Sequence, residues 1–202
     1  RDLCSEAIYL ARLLGQLRPG EPETEGALAL MLLTHARRDA RIGADGATVP
    51  PAEQDRGLWD RVLLSEGVAV LECALERGRP GAYQIKAAIA ACHMLPIRPD
   101  WPRILALYDD LMAFEPTPVV ELNRVVALAE TGALTEAWER LDALASGLEG
   151  YQPFHAARAD LLARAGEPAA LAAYDRAIEL ADRPEDVLFL QKRRRQCPGP
   201  AA

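Results

Sequence analysis

The chain has 202 residues, half of them hydrophobic but only 5% aromatic, and a formal net charge of −7. That length suits one compact domain or a short solenoid, with a core of Leu, Ala, Val and Ile, of which Ala and Leu favour helix. A pI near 5.1 excludes the basic surface that displaces counterions from phosphates, so the chain is not expected to grip nucleic acid by itself.

In chain order, Leu3, Ala7, Leu10, Leu13, Leu14 and Leu17 recur at helical spacing, and Arg18-Pro19-Gly20 stops that first helix. Glu21-Pro22-Glu23 opens a second, with Pro tolerated in the first turn and acids favoured at the positive end. From Ala27 to Leu33 it is apolar on nearly every side, which predicts a helix sandwiched by its neighbours. An interruption follows at 39–51, where Asp45-Gly46 between short apolar pieces predicts a small loop or β-hairpin insertion near 40–52. Glu53-Gln54-Asp55 then starts a long helix whose buried face takes in Trp59, Val62, Leu63, Val70, Cys73 and Ala74, ended by Gly78-Arg79-Pro80-Gly81. The next helix spans 83–94, and Pro96-Ile97-Arg98-Pro99 breaks it. Asp100 caps a helix carrying Trp101 and Pro102 that runs to Phe114, and Glu115-Pro116-Thr117-Pro118 makes a corner. Four helices follow at about 119–131, 134–146, 151–165 and 169–181, and a last one from Pro184 seals the end. Residues 197–202 read as a disordered tail, leaving 1–196 as a single helical-repeat domain of about ten helices.

A period runs through the second half. Ile104, Tyr108 and Leu111 recur 33 residues on as Ala137, Leu141 and Leu144, and 33 further on as Ala170, Tyr174 and Ala177. Gly132 and Gly166, each past an apolar run, stand 34 apart, where a helix ends in a left-handed glycine. Such a period marks an all-α array of antiparallel helix hairpins, stacked because no hairpin buries its apolar stripe alone.

The remaining composition narrows the chemistry. Cys4, Cys73, Cys92 and Cys197 show no C-x2-C spacing, which favours a reducing cytoplasm over a disulfide framework. The longest apolar run is too short to cross a bilayer, and the first residues do not show the basic-then-apolar pattern that resembles a signal peptide. Arg1 enters an amphipathic pattern almost directly, as expected of a piece of a longer protein. The basic run 192–195 reads as a solvated helix end facing the negative pole of the dipole. His35, His93 and His155 are too dispersed for a zinc site, and neither a G-x-S-x-G nor a Gly-rich phosphate loop with a following Lys is present. The expectation is a non-enzyme without metal or cofactor.

Two polar constellations stand out. Around the insertion lie His35, Arg37, Arg38 and Arg41 before it, and Asp55, Arg56, Trp59 and Asp60 after it. Arg56 and Asp60 are spaced to share a helix face, and Asp55 and Asp60 are placed to bridge to Arg37 or Arg38. This is either an ion-pair network clamping the insertion or a recognition surface in which an exposed Arg and Trp meet a partner. Second, Arg124 and Arg158 each precede their repeat glycine by eight residues. They either read an acidic peptide in the groove of the array or hold one hairpin to the next as snorkelled, internally paired arginines.

Several ordered segments carry a resemblance: 27–38 (ALALMLLTHARR), 44–46 (ADG), 54–61 (QDRGLWDR), 83–93 (YQIKAAIAACH), Asp100-Trp101, 105–109 (LALYD), 118–124 (PVVELNR) and 155–162 (HAARADLL). Together they resemble the tetratricopeptide-like C-terminal extension of a group of bacterial extracytoplasmic-function sigma factors, over almost the whole chain. Pro50-Pro51 departs from the apolar end of the usual insertion, and 96–99 falls in a variable loop. The resemblance implies sigma regions ahead of Arg1 that recognise promoter DNA and bind core RNA polymerase. The chain itself would then be a regulatory module whose partners are those sigma regions, the polymerase core and a regulator protein. DNA would be met only through the missing regions, and no membrane is implied. The alternative is a sensor taking a small acidic molecule between the insertion and the first hairpins, or a general tetratricopeptide scaffold.

Overall fold

The computed structural model describes residues 3–94 and 98–197. The expected break at Pro96-Ile97 and all but the first residue of the expected tail lie outside them. The fold is all-α. Among the described residues ten α-helices follow one another as α1 (Leu3–Leu17), α2 (Pro22–Ala36), α3 (Arg61–Glu76), α4 (Ala82–Met94), α5 (Trp101–Phe114), α6 (Pro118–Glu130), α7 (Leu134–Ala143), α8 (Gln152–Arg164), α9 (Ala170–Glu179) and α10 (Pro184–Gln196). Among the described residues the only extended pairing is one antiparallel bridge between Ile42 and Thr48, which closes the Asp45-Gly46 turn. Two compact units divide the chain: Arg1–Arg41 with Pro50–Pro116, and Ile42–Val49 with Thr117–Ala202.

In the first unit α2 packs against α1, α3 and α4, as its all-round apolar sequence requires. Ala29, Leu33 and Ala36 of α2 meet Leu71 of α3, and Ala87, Ala91 and Met94 of α4, in one buried cluster. Small residues let the helices close up. A Cβ built on Gly26 would stand 2.6 Å from the backbone nitrogen of Gln84, so α2 crosses α4 with no room for a methyl group. α1 is held more lightly. Ile8 is its one buried residue, whereas Leu3, Leu10, Leu13, Leu14 and Leu17 stay exposed.

The long helix expected from Glu53 begins at Arg61 instead. Two 3-10 turns, Pro51–Glu53 and Arg56–Leu58, precede it. Asp55 accepts a hydrogen bond from the Gly57 amide, and Asp60 from those of Val62 and Leu63, at 2.8–3.1 Å. A carboxylate that captures free amides at a helix start also fixes where that start lies.

The second unit is built from α6 to α10, each helix packing on the next. Gly132 and Gly166 sit just past α6 and α8 at φ +95° and +72°, the left-handed conformation expected of them. At the repeat positions Ala137 and Leu141 are buried, as are Ala170, Tyr174 and Ala177; in the first unit Ile104 and Leu111 are buried likewise. Residues 42–49 pack in this second unit against α10. The Thr48 amide donates to the Glu185 carbonyl at 3.0 Å, the Thr48 hydroxyl to Asp186, and Lys192 pairs with Asp45 at 3.4 Å.

Candidate functional site

The arginine-rich residues at the end of α2 face the two 3-10 turns ahead of α3. The chain turns at Arg37, where α2 ends and a 3-10 turn (Arg38–Ala40) begins, so consecutive arginines point to different neighbours. Arg37 donates to Oε1 of the buried Gln54 at 3.3 Å, while its Nε is buried with no partner among the described residues. Burial, then the nearby Arg41 charge, pushes the Arg37 guanidinium below its ordinary value. Arg41 donates to the Thr34 carbonyl at 2.8 Å. Arg38 stands 3.6 Å from Asp39 and 3.7 Å from Asp60, ion pairs just beyond hydrogen-bond distance. Arg56 donates to the Met94 carbonyl at 3.1 Å and lies over the Trp59 ring, 4.9 Å from its centroid.

Trp59 is 5% exposed and belongs to the first unit's core. Its ring is therefore unavailable as the exposed half of an Arg–Trp recognition pair, because it is buried in a cluster with residues of α2, α3 and α4. Nor do Arg56 and Asp60 share a helix face. Arg56 sits in a 3-10 turn and Asp60 caps α3, with its amide donating to the Ala36 carbonyl at 2.8 Å. The expected Asp60–Arg38 bridge is present; Asp55 instead caps its own turn. Asp60 is held below the usual carboxylate range by the Leu63 and Val62 amides and by Arg38. These contacts tie α2, α3 and α4 together, whereas residues 42–49 are held by α10.

Nearby, His93 packs edge-on against Trp101, ring centroids 5.2 Å apart, and burial followed by the Arg37 charge pushes its pKa down. A second buried polar junction lies at the other end of α2. Gln84, 1% exposed, donates from Nε2 to Glu23 and to the Arg79 carbonyl, and Glu23 also accepts from the Tyr83 and Gln84 amides. Sequence reading missed this pair. Its signal was a lone Gln within the apolar run of α4.

The stripe arginines are engaged inside the second unit. Arg124 pairs with Glu121 at 3.4 Å, an acid that Arg140 shares, and Arg158 lies 5.7 Å from the Trp138 ring centroid. Arg158 thus reaches from α8 to α7, whereas the Arg124 pair lies within α6 and it is Arg140 of α7 that reaches the shared Glu121. An open groove of about 300 Å³ in this unit is lined by Leu122 and Val126 of α6, Ala156 and Asp160 of α8, and Phe189 and Arg193 of α10. The groove thus draws on α6, α8 and α10, with Tyr174 of α9 also in its lining. There Tyr174 is pushed up to about 12 by burial and by the Asp160 charge.

A cluster of three or more His, Cys, Asp or Glu able to hold a metal is absent among the described residues. None of the described helices is long and apolar enough to cross a membrane. A family model described as "Family of unknown function (DUF6596)" matches residues 1–75. The chain is 43% identical over 194 residues to "Uncharacterized protein R00370" of Rhizobium meliloti (strain 1021). That match takes in 94% of this chain and 46% of the relative, so the chain spans about half the length of the curated relative it matches. No solved structure matches.

Proposed function

We propose that this chain is the regulatory, protein-interaction extension of an extracytoplasmic-function sigma factor, acting in the cytoplasm on transcription initiation by RNA polymerase. Its partners in this reading are the sigma regions of the same polypeptide and the polymerase core, with a regulator protein as a further partner. Promoter DNA is met only by the sigma regions. The ordered motifs resembling that extension span both units, and the Rhizobium relative has about as much sequence again as the part it shares. The structural observation that supports an interaction role is the groove across α6, α8 and α10, where an apolar floor is edged by Asp160 and Arg193. Helical arrays offer extended faces of this kind to polypeptide partners.

The test is transcription in vitro from the cognate promoter with the full-length protein and with this segment deleted. Deletion is expected to change promoter-dependent transcription, and the isolated segment to show no measurable affinity for promoter DNA. Unchanged transcription after deletion refutes the proposal.

A further inference from the structure

We infer that the cleft between α1 and α2 is a binding site for a small amphiphilic anion, a short apolar chain carrying a carboxylate or phosphate head. The cleft holds about 450 Å³ and is lined by Cys4, Ala7 and Ile8 from α1, Met31, Thr34 and His35 from α2, and Arg38 and Arg41 just beyond. Small-molecule sites commonly have this size and this make-up of an apolar wall with a few convergent polar groups. At about 30 Å³ per water, the space equals roughly fifteen waters, which suits a ligand of about ten to fifteen non-hydrogen atoms.

Charge selects the head group. Among the described residues no carboxylate lines this cleft, although the chain as a whole carries −7. The groove of the second unit carries Glu130 and Asp160, the cleft beside α3 and α4 carries Glu72 and Asp100, and the neighbouring cleft carries Asp60. Arg38 is partly offset by Asp39 and Asp60, but Arg41 has no acid among its described ion pairs, so against that acidic background the arginine end of the cleft attracts an anion and repels a cation.

The two arginines are also placed to use that charge. Arg41 spends one terminal nitrogen on the Thr34 carbonyl, which fixes the fork and leaves its other donors for a ligand. Among the described residues Arg38 pairs with Asp39 at 3.6 Å and Asp60 at 3.7 Å, separations longer than a direct hydrogen bond, so its donors can turn toward an oxyanion in the cleft. The opposite wall, Ala7, Ile8 and Met31, is apolar, and Met31 remains 38% exposed. The second cleft shares Ile8, His35 and Arg38, but it contains Asp60 and an Arg12 held bidentately by Glu66. The anionic head therefore sits on the Arg41 side, with the apolar chain along α1 and α2.

The experiment is titration of the whole chain with octanoate, octyl phosphate and 1-octanol, followed by calorimetry and by amide shifts in NMR spectra. Octanoate or octyl phosphate is expected to bind saturably, about tenfold or more tighter than 1-octanol, since each charged hydrogen bond is worth at least that factor. Whichever anion binds tighter identifies the head group. Arg38→Gln and Arg41→Gln should each weaken anion binding about tenfold, and Arg38→Lys should recover part of the loss. Met31→Trp, which fills the cleft and changes no charge, should abolish binding with the melting temperature kept. If Arg41→Gln unfolds the chain, Arg38→Gln and Met31→Trp decide the matter. Equal binding of octanol and the anions, folded arginine variants that bind as wild type, or no saturable binding by either anion overturns the assignment. None of these readouts involves transcription, so this site and the sigma-factor reading fail separately.

Discussion

Replacing one glycine by alanine at two places tests how the first unit is packed. Gly15 lies in α1 and Gly26 in α2, both within helices, so each Gly→Ala change gains about 1 kcal/mol of helix propensity. At Gly15 an added Cβ meets nothing within 4 Å. At Gly26 it meets the Gln84 backbone nitrogen at 2.6 Å, Cγ at 2.9 Å and Cα at 3.0 Å. Backbone atoms in a packed helix do not swing aside, so α2 and α4 have to separate by several tenths of an ångström. Separation strains the Glu23–Gln84 hydrogen bonds as well as the apolar contact. Overpacking of this kind costs about 1–3 kcal/mol, and the lengthened buried hydrogen bonds add about 1 kcal/mol. After the propensity gain, Gly26→Ala should destabilise by about 1–3 kcal/mol, while Gly15→Ala should stabilise by up to about 1 kcal/mol. For a chain this size a kcal/mol moves the melting temperature by about 2–4 °C, so the two variants should shift in opposite directions in a thermal melt. A Gly26→Ala protein as stable as wild type would refute the close crossing of α2 and α4.

Tyr174→Ala removes a 3%-exposed ring from the second unit's core and should cost about 3–5 kcal/mol by urea unfolding. Trp59→Ala should cost a similar amount, whereas Arg56→Ala, which loses a part-buried hydrogen bond and the ring contact, should cost about 1–2 kcal/mol. Loss of transcription from either variant without a fall in melting temperature would contradict their structural role. Asp60→Ala removes the α3 cap and should cost about 1 kcal/mol at neutral pH. Because the folded Asp60 has the lower pKa, its contribution is complete above the unfolded value near 3.9 and fades as pH falls through the folded value, so the variant's deficit should shrink in acid. His93 works in the same direction at higher pH. Its folded pKa lies below the unfolded value near 6.5, so stability should fall as pH drops below that value, and His93→Gln should flatten this part of the profile.

Local chemistry made much of the fold legible. Asp100 before Trp101-Pro102, Thr117 before Pro118, and the glycines at 132 and 166 each specify a helix end through groups within four residues. The 33-residue period put Leu141 and Tyr174 in the core, while Tyr108 and Leu144, at matching positions of the same period, are only half-buried. The apolar stretch 27–33 announced a sandwiched helix. Where a segment offered two local solutions, reading failed. Residues 53–60 have helical spacing, yet Asp55 and Asp60 bond the amides ahead of them and postpone the helix to Arg61.

The candidate sites depended on partners far along the chain. Which acid meets Arg38, whether Trp59 is covered, that residues 42–49 rest on α10, and that Arg38 and Arg41 share a cleft with Met31 and Ile8 are all set by tertiary approach. The leucines of α1 show the limit most plainly. Their spacing dictates an amphipathic helix, but five of them stay exposed, because periodicity states which residues share a face and not what lies against it. Sequence alone therefore determined the helices, most of their ends and the repeat, through interactions spanning a turn or two. Only the tertiary structure decided which charges pair and which clefts stay open, since those depend on distances between residues that the chain order does not encode.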